Sequence, residues 1–238
     1  FFQAEDAIRD FCLSRGLGDV YKRQFLFSCG DSESYTAAKD CYPVTSRYIF
    51  HWGKNSSIVI DKNATNATYS LGGSVNELSW FETGVNAWAN TLNEIGISVS
   101  FSTSSPDVKV YWLNSTQMLA KAGNSYVLGQ ATTEKEIYML KGQDQTATTA
   151  VATHEFGHML GIWSHSFDSN DLMYPYLNST SLSNRDKRTL VDFLYELSPD
   201  FDLHDVAGPL VHSSTGVSIP HYVSSLTTNG CQIHTSTG

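Results

Sequence analysis

The segment His154-Glu155-Phe156-Gly157-His158 constrains what this chain can fold into more than any other. It lies inside Gln143 to Leu160, a stretch that reads as a helix stopped at Gly161. Side chains four residues apart stand one turn apart on the same helical face, so the imidazoles of His154 and His158 can reach a single metal ion. Imidazole nitrogen suits zinc, and two histidines on one rigid turn supply two corners of a tetrahedron. Glu155 is rotated from both yet edges the same cleft. It need not ligate; it can take a proton from a zinc-bound water, whose pKa falls toward about 7. A helix with two ordinary histidines is a reading that these five residues alone leave open, so their surroundings decide.

Those surroundings predict an α/β or α+β layered domain in which one helix carries the chemistry. Tyr48 to Trp52 and Ser57 to Asp61 have a β-rich pattern, split by Gly53-Lys54-Asn55. Val75, Leu78, Phe81, Val85, Trp88, Leu92 and Ile95 then form one apolar stripe at helical spacing. Ser74 is its expected N-cap, Glu77 completes a capping box, and Gly96 closes it. Ile97 to Phe101 and Val108 to Tyr111 alternate with period two, and Tyr126 to Ala131 and Glu136 to Leu140 add two more short strands. After the His-bearing helix, a third is expected from about Asn184 to Leu197, capped by Ser183, with Leu190, Leu194 and Leu197 on one face.

Three further features follow the motif. Gly161 stands three residues after His158, His165 four beyond that, and Leu172-Met173-Tyr174-Pro175-Tyr176 comes shortly after. The text HEFGHMLGIWSHS followed by DLMYPY resembles the metzincin metalloproteases, most closely the matrixin-like branch. The resemblance spans about residues 46–200, with its diagnostic motifs in 154–176. It implies a metzincin-like zincin fold: a mixed, mostly parallel twisted sheet of about five strands, a long zinc-binding helix, a Met-turn and a C-terminal helix. It also implies that His154, His158 and His165 hold one catalytic zinc, that Glu155 is the general base, and that Met173 packs beneath the metal without binding it. The family's usual spacing puts the third histidine where this chain has Ser164, one residue before His165. A serine hydroxyl is a poor zinc ligand at neutral pH and the loop after Gly161 can absorb a residue, so His165 is preferred over Ser164 and over a two-histidine site.

The same resemblance makes Tyr174, Pro175 and Tyr176 a wall of the pocket for the residue after the scissile bond. It makes Tyr126 to Ala131, with Gly129, an edge strand that pairs with an extended substrate. The implied function is that of a zinc endopeptidase acting on polypeptides. Its rival from another class is a surface binding or adhesion module with a structural or vestigial zinc site, against which the intact Glu155 counts. A zincin of another branch, such as an aminopeptidase, is the second enzymatic reading. Lys39-Asp40-Cys41-Tyr42-Pro43 does not match the cysteine-switch segment of matrixin zymogens. Calcium, which such domains can also carry, has no readable signature in the sequence, and the chain is read as a monomer.

Composition narrows the partners. The 238 residues are 41% hydrophobic, enough for one sizeable core, and carry a net charge of −9 without the basic footprint of a nucleic-acid binder. No apolar run approaches the roughly 20 residues of a membrane-spanning helix. Residues 1–24 resemble translated sequencing-adapter sequence and are set apart from the fold. Residues 25–45 read as an export-segment remnant and linker, 46–200 as the catalytic domain, and 201–238 as a Ser/Thr/Gly-rich tail of unknown role. Within the linker, Leu26-Phe27-Ser28-Cys29 resembles a bacterial lipobox, which would anchor the chain through Cys29 and leave Cys41 and Cys231 as a pair; a short apolar start with an ordinary cysteine is the plainer alternative. Scarce charge, at 16%, and abundant Ser, Thr and Asn fit a secreted or cell-surface protein either way. His204, His212, His221 and His234 are spaced irregularly and read as surface histidines, and five Asn-x-Ser/Thr sequons (Asn55, Asn63, Asn66, Asn114, Asn178) are expected by chance in so polar a chain.

Overall fold

Alternation with period two along the strands and spacing of three to four along the helices converge on one layered core. A computed structural model of the protein describes residues 41, 48–163, 165–166, 168–196, 199 and 201–202. The strands are β1 (Tyr48–Ile49), β2 (Ser57–Asp61), β3 (Ser98–Phe101), β4 (Val108–Leu113), β5 (Gly129–Ala131), β6 (Glu136–Leu140) and β7 (Phe201–Asp202). The helices are α1 (Val75–Asn86), α2 (Ala89–Glu94), α3 (Ser115–Ala122), α4 (Gln145–Met159) and α5 (Asn184–Arg188). Five strands make one mixed sheet in the order β3-β2-β4-β6-β5, with every neighbouring pair parallel except β5, which runs antiparallel along β6. The expected α+β architecture, a mostly parallel five-stranded sheet with a long helix across it, is therefore the one observed.

The sheet is covered on both faces, as parallel strands require. On one side Ile58, Ile60, Val110, Trp112, Ile137 and Met139 alternate inward and meet Phe81, Val85, Trp88, Val151 and Phe156 of the helices. On the other, Tyr111, Leu113, Tyr138 and Leu140 pack with Met118 of α3 and with Val127. Helix α3 has no counterpart in the sequence reading, although its signals are present. Asn114 caps it, Gln117 closes a capping box, and Gly123 ends it in the left-handed conformation at φ 70°.

The expected single helix from Val75 to Ile95 is two. The Ser74–Glu77 capping box forms, and Glu77 also accepts an N–H from Gly142 at 2.8 Å, tying the start of α1 to the turn before α4. Burial opposes its charge, yet the N–H groups of Gly142 and Ser74 outweigh that and hold Glu77 below the usual carboxylate range. The break comes at Ala87-Trp88, where bonds to the residue three back tighten the backbone and reset the helical phase. Trp88 is the reason to turn there: its indole N–H donates to the Thr153 carbonyl of α4 at 2.9 Å, inside the core. Val75, assigned to the apolar stripe, is 84% exposed, whereas Phe81 and Val85 further along the same stripe are buried. Gly96 does close α2, at φ 71°, with Ile97 N–H returning to Leu92 O.

The C-terminal helix also differs in form. After α5 comes a π-helical turn, Thr189–Phe193, then a 3-10 turn, Leu194–Glu196, and the wider turn brings Leu190, Phe193, Leu194 and Tyr195 all into the core rather than one leucine face. Leu197 lies outside the described residues, as do residues 1–40 with Cys29, and 203–238 with Cys231 and the four tail histidines. Phe201 and Asp202 pair antiparallel with Ile49 and Tyr48, so the first two residues assigned to the tail belong to a small clasp at the domain's edge. Cys41 is fully buried and disulfide-bonded. Among the described residues no helix is long and apolar enough to cross a membrane.

Helices α1 and α4 touch through Gly84. A Cβ there would stand 2.5 Å from the Thr149 carbonyl oxygen and 2.7 Å from Ala152 Cβ, a distance no backbone atom can relieve by rotating. Gly84→Ala would gain about 1 kcal/mol in an exposed helix. Here overpacking dominates, and a net loss of about 1–3 kcal/mol is expected, read as a lower midpoint in urea unfolding.

Candidate metal centre

Helix α4 starts from Asp144, whose side chain accepts the Ala147 N–H at 2.8 Å, and from Ala150 to Met159 every residue is buried. It is not amphipathic. It is packed between the sheet, α1 and the loop that follows it, so its polar side chains must find partners inside the protein.

His154 and His158 find backbone carbonyls. The His154 Nδ1–H donates to Leu172 O at 2.8 Å and the His158 Nδ1–H to Ile162 O at 2.5 Å. Each bond fixes the ring and the tautomer and turns Nε2 inward as a lone pair. The two Nε2 atoms face each other at 3.1 Å. Two lone pairs at that distance repel unless a cation lies between them, and two imidazoles bound at about 2.05 Å to a tetrahedral ion would stand roughly 3.3 Å apart. His165 completes the cluster, its ring centroid 5.2 Å from that of His154 and 5.0 Å from that of His158. The three ligand atoms lie within 4.8 Å of one another, and His165 Nε2 is buried without a hydrogen-bond partner. Burial keeps all three neutral, as ligation needs: His154 is pushed well below the ordinary imidazole value, His158 down to about 4 and His165 down to about 3. The donor set thus fits one zinc ion. Ser164, the weaker candidate, lies outside the described residues.

The neighbours of the triad are shaped around it. Gly161, at φ 114°, reverses the chain after α4 in a space where a Cβ would meet the Phe50 carbonyl at 2.8 Å. Trp163 then stacks on the His158 ring at 5.9 Å and 12°. Met173 is fully buried, and its sulfur lies 2.5 Å from where a Cβ of Gly157 would be, so the glycine between the two histidines is the seat of this methionine. Glu155 is entirely buried, where the sequence alone suggested the edge of a cleft. The β5 backbone presses on it: a Cβ on Gly129 would come within 2.9 Å of Glu155 Oε1. Tyr174, Pro175 and Tyr176 continue directly from Met173, half-buried, with the two tyrosine rings 5.5 Å apart.

Several residues of this neighbourhood escaped the sequence reading. Asp186 accepts N–H bonds from Leu172 at 3.0 Å, Met173 at 3.2 Å and Ser183 at 2.6 Å. The peptide that orients His154 is therefore itself held from α5. Burial pushes the Asp186 carboxyl up to about 6 against the opposing pull of those N–H groups. Its signal in the sequence was the Ser183-x-x-Asp186 spacing, in which only the cap was noticed. Arg185, Asp171, Asp168 and Ser166 form a polar network beside it, with no local signature at all.

A helix crossing a mostly parallel sheet, two histidines one turn apart on it, a third histidine after a glycine reversal and a buried methionine against Gly157 fit a metzincin-type metalloprotease. The Matrixin family model matches residues 54–196, more than half of the chain, and the protein belongs to that family. Among solved structures, it is similar to myroilysin at 16% identity, covering 81% of this chain and 92% of that one with a TM-score of 0.32. Metalloproteinase-II from Bacteroides fragilis is similar at 14% identity and TM-score 0.32, covering 65% of this chain and 56% of that one. No curated protein matches the chain.

The neutral triad has a consequence for metal-free protein. In the unfolded chain each histidine protonates near 6.5, whereas His158 and His165 in the fold resist until about 4 and 3. Below pH 6.5 the unfolded state binds more protons, so stability falls as pH drops toward 4, by at most about 1.4 kcal/mol per pH unit for each histidine. Asp186, with its raised value, opposes this by a single proton between about 6 and 3.8. Urea titrations of metal-free protein from pH 7 to 4 should show that decline, and it should be shallower in His158→Gln.

Proposed function

We propose that the protein hydrolyses internal peptide bonds of extended polypeptides at one zinc ion held by His154, His158 and His165, with Glu155 as general base. The observation that carries this reading is the cluster of three neutral imidazoles, those of His154 and His158 buried and oriented by backbone carbonyls and that of His165 partly buried, with Glu155 next to the first in the chain. When bound, zinc supplies Lewis acidity, polarising the scissile carbonyl and lowering the pKa of coordinated water. Glu155 accepts the proton of the attacking water and passes it to the leaving amine. Strand β5 ends the sheet and pairs only with β6 among the described strands, and its outer edge is where substrate backbone would pair in an extended form. The contact between Gly129 and Glu155 sets the base beside that edge. Tyr174, Pro175 and Tyr176 form the wall that receives the side chain after the cleaved bond. The disulfide at Cys41 supports a secreted or surface location, since such bonds persist in oxidising compartments.

The test is digestion of an unfolded protein by the full chain loaded with zinc, wild type beside Glu155→Gln. Internal cleavage by the wild type, reduced about 100-fold or more in the variant at unchanged zinc content, is the expected result. Equal cleavage by both would remove Glu155 from the role of base. Trimming from free N-termini alone would point to an aminopeptidase, and zinc binding without any cleavage to an adhesion module.

A further inference from the structure

Two of the three histidines have their rings fixed by backbone carbonyls; the third does not. Among the described residues the His165 ring makes no hydrogen bond, and its Nε2 is buried. Its direction is therefore set by packing against the other two rings and by the backbone on which it stands, and that backbone is held on one side by a polar network. Ser166, the next residue, donates its N–H to Met173 O at 2.8 Å and its hydroxyl to Asp171 Oδ2 at 2.5 Å, while the same hydroxyl accepts the Asp168 N–H at 3.0 Å. The Asp171 N–H closes the loop on Asp168 O at 3.1 Å. Into this loop α5 inserts a guanidinium: Arg185 Nη1 lies 2.6 Å from Asp171 Oδ2 and 3.3 Å from Asp168 Oδ2. Arg185 and Asp171 are both almost fully buried, so the pair is poorly screened and its geometry is tightly held.

We propose that Arg185 is a positioning residue for the third metal ligand. Through Asp171 and Ser166 its guanidinium fixes the backbone of His165 so that Nε2 meets those of His154 and His158. The proposal rests on the reading of His165 as a ligand. Neighbouring residues of α5 then divide the work: Asp186 holds the Leu172 and Met173 peptides, and Arg185 holds the loop before them. An arginine that only stabilised the fold would act equally whether or not residue 165 could bind metal, and that difference is measurable.

The experiment is a double-mutant cycle on the full chain, reading zinc affinity by competition with a chromophoric chelator. Arg185→Gln should weaken zinc binding about 10- to 100-fold, the usual effect of removing an outer-shell support. In the His165→Ala background the same substitution should change nothing further, and Arg185→Lys should recover part of the loss. Unchanged affinity in Arg185→Gln, or an equal loss in both backgrounds, overturns the proposal. Full zinc affinity in His165→Ala alone overturns the ligand reading, and the proposal with it, before the cycle is closed. Where Arg185→Gln does not fold, Ser166→Ala keeps the ion pair, removes the hydroxyl bridge and closes the same cycle with a smaller shift.

Discussion

A helix buried on every side can carry two imidazoles with facing lone pairs only if something outside the helix fixes their rings. The carbonyls of Leu172 and Ile162 do this, and neither belongs to α4. Ile162 is reached because Gly161 reverses the chain at once; Leu172 is reached because a loop passes beneath the helix and is held there by Asp186. The rest of the domain can be read outward from those two bonds. The sheet supplies a floor for α4, α1 closes its flank through Gly84, and α5 anchors the loop that returns under the histidines.

Apart from Glu155, the buried carboxylates and the buried arginine among the described residues stand at these anchoring points. Glu77 joins α1 to the turn before α4, Asp186 joins α5 to the Met173 turn, and Arg185 with Asp171 joins α5 to the loop after His165. Each is surrounded by N–H groups or an opposite charge, without which burial would cost several kcal/mol. An apolar contact could stabilise as well but would tolerate sliding. Directional bonds at these places fix the register of the loops that carry His165 and the Leu172 carbonyl.

The parts legible in the sequence were those whose signals are local. The His154–His158 pair, the caps at Ser74 and Ser183 and the stop at Gly96 each depend on residues within one or two turns. The alternating strands were legible too, since each has one period throughout. Features created by contacts across the chain were not. Trp88 breaks the first helix because of a carbonyl sixty-five positions away, and Val75 fits a helical stripe yet stands exposed. Arg185 reads as an ordinary surface arginine in a charged helix until Asp171 is placed beside it. Helix α3 is a different case, because its Asn114–Gln117 cap was local and simply weaker than the strand signals on either side.

The fit of Met173 sulfur into the space over Gly157 also restricts how such a domain can change over generations. A Cβ at residue 157 would meet the sulfur at 2.5 Å and the Trp88 ring at 3.1 Å, so a side chain there is blocked twice. The two positions form a lock in which order matters: residue 173 must shrink before residue 157 can grow, and the intermediate has a hollow against the turn that carries both histidines. Drift at either position therefore passes through a form with loosened packing beside the turn that carries His154 and His158, and the pair is expected to persist in lineages that keep the histidines and to dissolve first in those that have lost them.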